Sequence, residues 1–179
     1  MDSRISDIFL RYGYSNWEWR SIGLIVHMAY EWAQRVGDMR LLTWNNLDLK
    51  AQRLDLEQSK RRADVHLPIS DTLCSMLVQQ ETDFGFQPYV APRPEPYNGV
   101  YTAYHSTDIH RLVNEVKEEA KLSKDLTALD VRRTGITEMV EAGVDTLGIM
   151  QVSGHSNPQS VKPYLVNTLK GASNALNKR

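Results

Sequence analysis

Two helix stops placed close together constrain this chain most. Thr127-Ala128-Leu129-Asp130 is a capping box, T-x-x-D, so a helix is expected to begin at residue 128. Gly143 follows Ala142 as a glycine stop. Asp145 is suited to cap a second, short helix, and Gly154 ends it. The segment therefore fixes where its polar groups fall. Arg132 sits in the first two turns of one helix, with Arg133 beside it. His155 follows the second stop, and Tyr164 lies nine residues beyond His155. An arginine, an imidazole and a phenol at set separations make chemical sense around one phosphodiester. The guanidinium fork holds anionic oxygens, the imidazole donates to the same phosphate, and the phenol can attack phosphorus.

Upstream, Ser15-Asn16-Trp17-Glu18 reads as another capping box. Ile22, Ile25, Ala29 and Trp32 follow at helical spacing, so an amphipathic helix is expected to end near Gln34. Arg35-Val36-Gly37-Asp38 comes next, an R-x-x-D whose commonest meaning is a surface ion pair. From Trp44 to Pro68 the period falls to two: Leu47, Leu49, Leu54, Leu56, Val65 and Leu67 alternate with polar residues. Turns at Lys50 to Gln52 and Ser59 to Arg62 divide this stretch into a three-stranded antiparallel sheet. Ser70 is placed to cap a short helix carrying Leu73, Met76 and Leu77, and Thr107 to cap one carrying Ile109, Leu112, Val113 and Val116. The end of that second helix, Glu115 to Lys121, reads as a wet, charged surface. Between the two, residues 84–104 hold Pro88, Pro92, Pro94 and Pro96, which no helix survives. This is a long loop, either packed by its own aromatics or tracking a ligand.

Arg35, Lys60, Arg132, Gly154-His155 and Tyr164, in that order, resemble the catalytic domain of the tyrosine recombinases, the phage integrase family. The resemblance implies an α+β fold, mainly helical, with a small three-stranded antiparallel sheet. It implies that Arg35 and Arg132 hold the scissile phosphate, that Lys60 in the second sheet turn is the general acid, and that His155 donates to the phosphate. Tyr164 would be the nucleophile, forming a 3′-phosphotyrosine bond. Asp38 fills the acidic place of the first box and would orient Arg35. Arg61, Arg62, Arg133 and Arg93 are expected to touch DNA. The family's second box begins with histidine, three positions before the arginine; here that position is Leu129, which can neither donate nor move a proton. A type IB topoisomerase shares the chemistry but usually has a polar group at this position. The Leu129 departure also leaves open a relative that binds DNA or partner subunits without cutting it.

A free phenol has a pKa near 10, so its ionisation needs cationic neighbours or a base. The covalent link conserves the energy of the broken bond, so neither metal nor nucleotide cofactor is expected. The chain shows no P-loop and no zinc spacing. Expected partners are double-stranded DNA and further copies of the chain, a tetramer on DNA, with a monomer open for the isolated domain.

Composition bears on the remaining points. Across 179 residues the net charge is −1, so any basic grip on DNA must be local. The single cysteine, Cys74, fits a reducing compartment. No apolar run has the length of a membrane span. The resemblance implies a cytoplasmic protein of a bacterial or phage-infected cell, acting on DNA, with a lead-in at 1–14 and a catalytic domain at 15–179. The family's N-terminal core-binding domain is expected to be absent. Pro163 would interrupt any helix carrying Tyr164, so the phenol is expected at a break. Leu165, Val166, Leu169, Ala172 and Leu176 in the tail (165–179) follow at helical spacing, to dock on a neighbour or on their own domain.

Overall fold

The computed structural model describes residues 17–60, 62–119, 121, 127–164, 173 and 176. The lead-in, Ser15, Arg61 and Leu165 to Ala172 of the tail lie outside the described residues, and so does the side chain of Leu129. In chain order the elements are α1 (Arg20–Glu31), α2 (Val36–Met39), β1 (Leu47–Asp48), β2 (Arg53–Glu57), β3 (Asp64–Pro68) and α3 (Asp71–Phe84). Then come α4 (Ser106–Glu119), α5 (Ala128–Glu141) and α6 (Thr146–Ser153). Short 3₁₀ turns follow at Pro158–Ser160 and Lys162–Tyr164. The expected class holds: helices around one small antiparallel sheet, ordered β1-β2-β3.

Helix α1 is the centre. It was expected to be amphipathic, yet every residue from Arg20 to Ala29 is buried. Leu24, Val26 and Met28 fill the side that the spacing of Ile22 and Ile25 left unassigned. A helix apolar on all sides belongs in the interior. Its two polar ends are paired: Arg20 Nη1 lies 2.5 Å from Asp83 Oδ2, and His27 Nε2 lies 3.0 Å from Glu31 Oε2. The helix starts at Arg20 rather than after Ser15, because Trp17 to Trp19 form a turn and Trp17 stacks on Phe84 at 5.2 Å. It stops at Glu31, short of Gln34, where Ala33 turns to a positive φ of 49°.

In the sheet, Leu54 faces Leu67 and Leu56 faces Val65, all buried. The alternate positions Asp55 and His66 pair on the outer face at 2.6 Å. Strand β1 is shorter than its alternation suggested, because Leu49 already belongs to the turn. Ser70 caps α3 as expected, its hydroxyl accepting from Leu73 N at 3.2 Å, and the helix runs longer than expected, to Phe84. Thr107 does not cap α4. The helix begins one residue earlier, and the His105 ring accepts the Thr107 N–H at 3.4 Å. Lys117, placed by sequence on a wet face, is buried and donates to Asn114 Oδ1 at 3.1 Å.

Residues 85–105 hold no helix or named strand. Tyr101 packs edge-on to both Phe84 and Phe86, so this stretch is closed by its own aromatics. Arg93 lies beside Asp108 at 3.7 Å. Two apolar clusters result. The larger joins α1, the sheet, α3 and α4. The smaller is Ala33, Ile136, Ile149 and Val161, with Tyr164 packed against it. Helices α1 and α5 meet closely where Gly135 lies against Tyr30: a Cβ on Gly135 would come within 2.6 Å of the Tyr30 carbonyl oxygen. Across the same contact Tyr30 donates to Glu138 Oε2 at 2.5 Å.

Candidate active site

The capping box at Thr127 forms as its sequence requires. The Thr127 hydroxyl and N–H both reach Asp130 Oδ2 at 2.8 Å, which starts α5 at residue 128. Arg132 thereby falls on the inward side of the second turn and is 8% exposed. Its Nη2 donates to the Ser153 carbonyl at 2.8 Å, tying α5 to the end of α6. Asp145 starts α6 by accepting from Gly148 N at 2.7 Å, and Gly154 ends it at a φ of 69°. A Cβ on Gly154 would sit 2.4 Å from the Gln58 amide nitrogen, so the residue is fixed by both conformation and space.

Arg35 leaves α1 in extended conformation at the foot of α2. Its Nη1 donates to Gln58 Oε1 at 3.2 Å and lies 3.6 Å from Asp38 Oδ2. The buried carboxylate of Asp38 also accepts from the Ser59 N–H at 3.1 Å and from the Ser59 hydroxyl. One carboxylate therefore sets both Arg35 and the turn that carries Lys60. Gln58 is fully buried. Its amide nitrogen donates to Gln34 Oε1 at 2.5 Å and to the Ser153 carbonyl at 2.9 Å. Gln34 in turn donates to the Val152 carbonyl at 2.6 Å. Buried polar groups of this kind are stable only when satisfied, and here they anchor Arg35 from behind at the floor of a cleft that Arg35 itself lines.

The cleft has a volume of about 440 Å³ and is lined by Arg35, Lys60, Asp130, Arg132, Arg133, His155, Pro163 and Tyr164. The structure thus brings together five groups that the sequence singled out from three separate regions, Arg35, Lys60, Arg132, His155 and Tyr164. Arg133 joins them. Arg62 is exposed at a positive φ of 48° in the hairpin turn, and Arg93 does not line the cleft. Four cations face one carboxylate, Asp130, and that carboxylate is already engaged by Thr127. The local balance favours an anion although the whole chain carries −1.

Tyr164 ends the second 3₁₀ turn, its N–H bonded to the Val161 carbonyl at 2.9 Å. Asn157 caps the first turn, accepting from Gln159 N at 2.8 Å, with Pro158 at its first position. The expected interruption at Pro163 is present: two short turns replace one helix up to Tyr164. The His155 and Tyr164 ring centroids are 6.2 Å apart with a 49° tilt. Sequence reasoning missed Gln34, Gln58, Ser59 and Ser153. Their one signal is adjacency, since each lies within two residues of Arg35, Lys60 or His155.

Among the described residues no group of three or more histidine, cysteine or carboxylate side chains is placed to hold a metal ion. No helix among them is long and apolar enough to cross a membrane.

Comparison with solved structures shows the fold. The XerA recombinase is similar over 99% of this chain and 62% of its own, with a TM-score of 0.78 and 16% identity. The Tn1549 transposon integrase in complex with a circular intermediate DNA is similar over 100% of this chain and 65% of its own, with a TM-score of 0.74 and 14% identity. A lambda integrase tetramer bound to a Holliday junction gives a TM-score of 0.70 at 15% identity, over 93% of this chain and 48% of its own. The chain therefore spans less than two thirds of each of these proteins. No curated protein matches it in sequence. The model of the phage integrase family matches residues 18–170, from the turn before α1 to beyond Tyr164. Every residue that lines the cleft falls inside that match, and the chain belongs to the phage integrase family.

Proposed function

We propose that this chain is the catalytic domain of a site-specific recombinase, which cuts and rejoins double-stranded DNA through a 3′-phosphotyrosine bond. The observation that carries this reading is the cleft itself: Arg35, Lys60, Arg132 and His155 line it together with a half-buried phenol. Arg35 and Arg132 hold the nonbridging oxygens of the scissile phosphate and neutralise charge as the five-coordinate transition state forms. Both are anchored before substrate arrives, through Gln58, Asp38 and the Ser153 carbonyl. Asp38 is a positioning residue, acting through Arg35 and the Ser59 turn.

Tyr164 attacks phosphorus, and the 5′-oxygen leaves with a proton from Lys60. An arginine does not release its proton, so neither guanidinium replaces the lysine. Attack by the 5′-hydroxyl of a second strand reverses the step and seals DNA. The covalent bond carries the energy of the broken link, so the chain's own residues suffice for the transfer. Arg62, Arg133 and Arg93 contact the DNA backbone beyond the scissile phosphate, and Arg61 does the same.

Lambda integrase, a structural relative, has been seen as a dimer bound to a core site and as a tetramer bound to a Holliday junction. Those assemblies support double-stranded DNA as the partner here and a tetramer on it. The site of action is the cytoplasm of a bacterial or phage-infected cell. The catalytic domain runs from residue 15 to 179.

A suicide substrate, nicked so that the cleaved strand's short end diffuses away, tests the reading. The unaltered chain is expected to form a covalent protein–DNA adduct, and Tyr164→Phe to form none while still binding. Binding without adduct in both proteins would overturn it.

A further inference from the structure

Beside the cleft lies a second, smaller cavity of about 230 Å³. Its lining includes Val36 and Gly37 of α2, Arg40 just after it, and Ile109 and His110 of α4. Arg35 lines both cavities, so they share a wall. Arg40 is the unusual group there. Arg20, Arg35, Arg53, Arg93 and Arg111 each lie beside a carboxylate. Among the described residues Arg40 has no such partner. Its Nη1 donates to the Tyr104 carbonyl at 2.8 Å, and its Nε is buried with no acceptor among them. A guanidinium keeps its charge. Held half-buried with a donor to spare, it makes a place for an anion.

We infer that this cavity takes the phosphodiester next to the scissile one on the cut strand, together with its deoxyribose. The inference rests on the strand-cleavage reading, which puts the scissile phosphate in the cleft. Successive phosphates of one strand advance only about 3.4 Å along the duplex axis, so the neighbour of a phosphate held by Arg35 falls beside Arg35. The phosphate oxygens face Arg40 and Arg35, with the exposed His110 ring at the rim. The apolar face of the sugar lies on Val36 and Ile109. It passes over Gly37, where a Cβ would meet no atom within 4 Å.

The start of α4 adds little to this grip. The N–H groups of Asp108 and Ile109 go to the His105 carbonyl at 3.1 and 3.3 Å, and that of Thr107 goes to the His105 ring. Recognition therefore falls to side chains. An apolar side chain from a protein partner would cover Val36 and Ile109 but leave the Arg40 donor stranded, which is costly. A sugar with its phosphate satisfies both. Arg40 breaks no bond; it fixes the strand on one side of the cut.

Salt dependence of binding to a duplex of arbitrary sequence tests this, read by fluorescence anisotropy. Each phosphate contacted contributes about 0.9 to the slope of log affinity against log salt. Arg40→Gln is expected to flatten the slope by about 0.9. Gly37→Leu keeps every charge but fills the cavity, and is expected to flatten it equally. The double variant should lose no more than either alone, since both remove one contact. Arg53→Gln, on the outer face of the sheet, should leave the slope unchanged. If Arg40→Gln or Gly37→Leu fails to fold by circular dichroism, the other decides. An unchanged slope in a folded variant, an equal loss in Arg53→Gln, or a loss of about 1.8 in the double variant would overturn the inference. Placement is tested in the suicide substrate. A neutral methylphosphonate at one phosphate flanking the cut should abolish the difference in affinity between the unaltered chain and Arg40→Gln. A difference that survives on both flanks would also overturn the inference. If the unaltered chain binds the duplex but forms no covalent adduct, the strand-cleavage reading fails instead, and the slopes still decide whether Arg40 holds a phosphate.

Discussion

The floor of the cleft and the perch of the phenol are built in opposite ways. On the floor, Arg35 and Arg132 are tied to groups distant in sequence. Gln58 reaches Gln34 across 24 residues and the Ser153 carbonyl across 95, and Arg132 reaches the same carbonyl across 21. The perch is local. Tyr164 is bonded to Val161, Asn157 to Gln159, and the one fully buried side chain from Pro158 to Tyr164 is Val161. Lys162 and Pro163 are exposed. An anion site gains from donors set in advance, because no reorganisation is then needed in the transition state. A nucleophile that must approach phosphorus, bond to it and later let go gains from a short segment with few outside ties.

Three substitutions break or sharpen that contrast. Gln58→Ala should have the largest effect, since it strands Gln34 Oε1 and loosens Arg35 at once. Each unsatisfied buried group costs about 1–3 kcal/mol, so a stability loss of about 3 kcal/mol by urea denaturation is expected. Adduct formation should fall with it, even at low denaturant where the chain is folded. A loss under about 0.5 kcal/mol would mean that the floor is not tightly coupled. Val161→Ala comes next. It opens the small cluster beneath Tyr164, with an expected loss of about 1–2 kcal/mol. DNA affinity in a titration should hold while adduct formation slows, because the cations do not depend on Val161. Equal losses in both would merge perch and floor into one unit. Pro163→Ala should be the mildest, within about 0.5 kcal/mol in stability at this exposed site. Its mark should be kinetic: with the ring gone the two turns can join, and single-turnover cleavage should change while affinity does not.

The same contrast explains what was legible in the sequence. Thr127, Asp130, Asp145, Gly143 and Gly154 act on neighbours three or four residues away, so their spacing alone announces where α5 and α6 begin and end. The sheet could be read because Leu54, Leu56, Val65 and Leu67 each report their own face. Pro163 forecast the break at Tyr164 for the same local reason. Gln58 and Ser153 carry no such mark, since a glutamine at the end of a strand looks like any solvated residue until the chain has folded. Thr107 misled because the helix already begins at Ser106, and the Thr107 N–H is itself accepted by the His105 ring. The all-round burial of α1 went unseen because it depends on α4 and α5, whose own placement no spacing within α1 encodes. For the same reason Lys117 looked wet.

The gap between the two arginines is gauged at Gly135. Arg35 follows the end of α1 and Arg132 stands one turn before Gly135 on α5, and where those two helices meet Gly135 leaves no room for a Cβ against the Tyr30 carbonyl. The spacing of the two helices from which the arginines extend therefore depends on a hydrogen atom that lies outside the cleft. A single methyl group there would act as a shim, prising the guanidinium groups apart without altering either one.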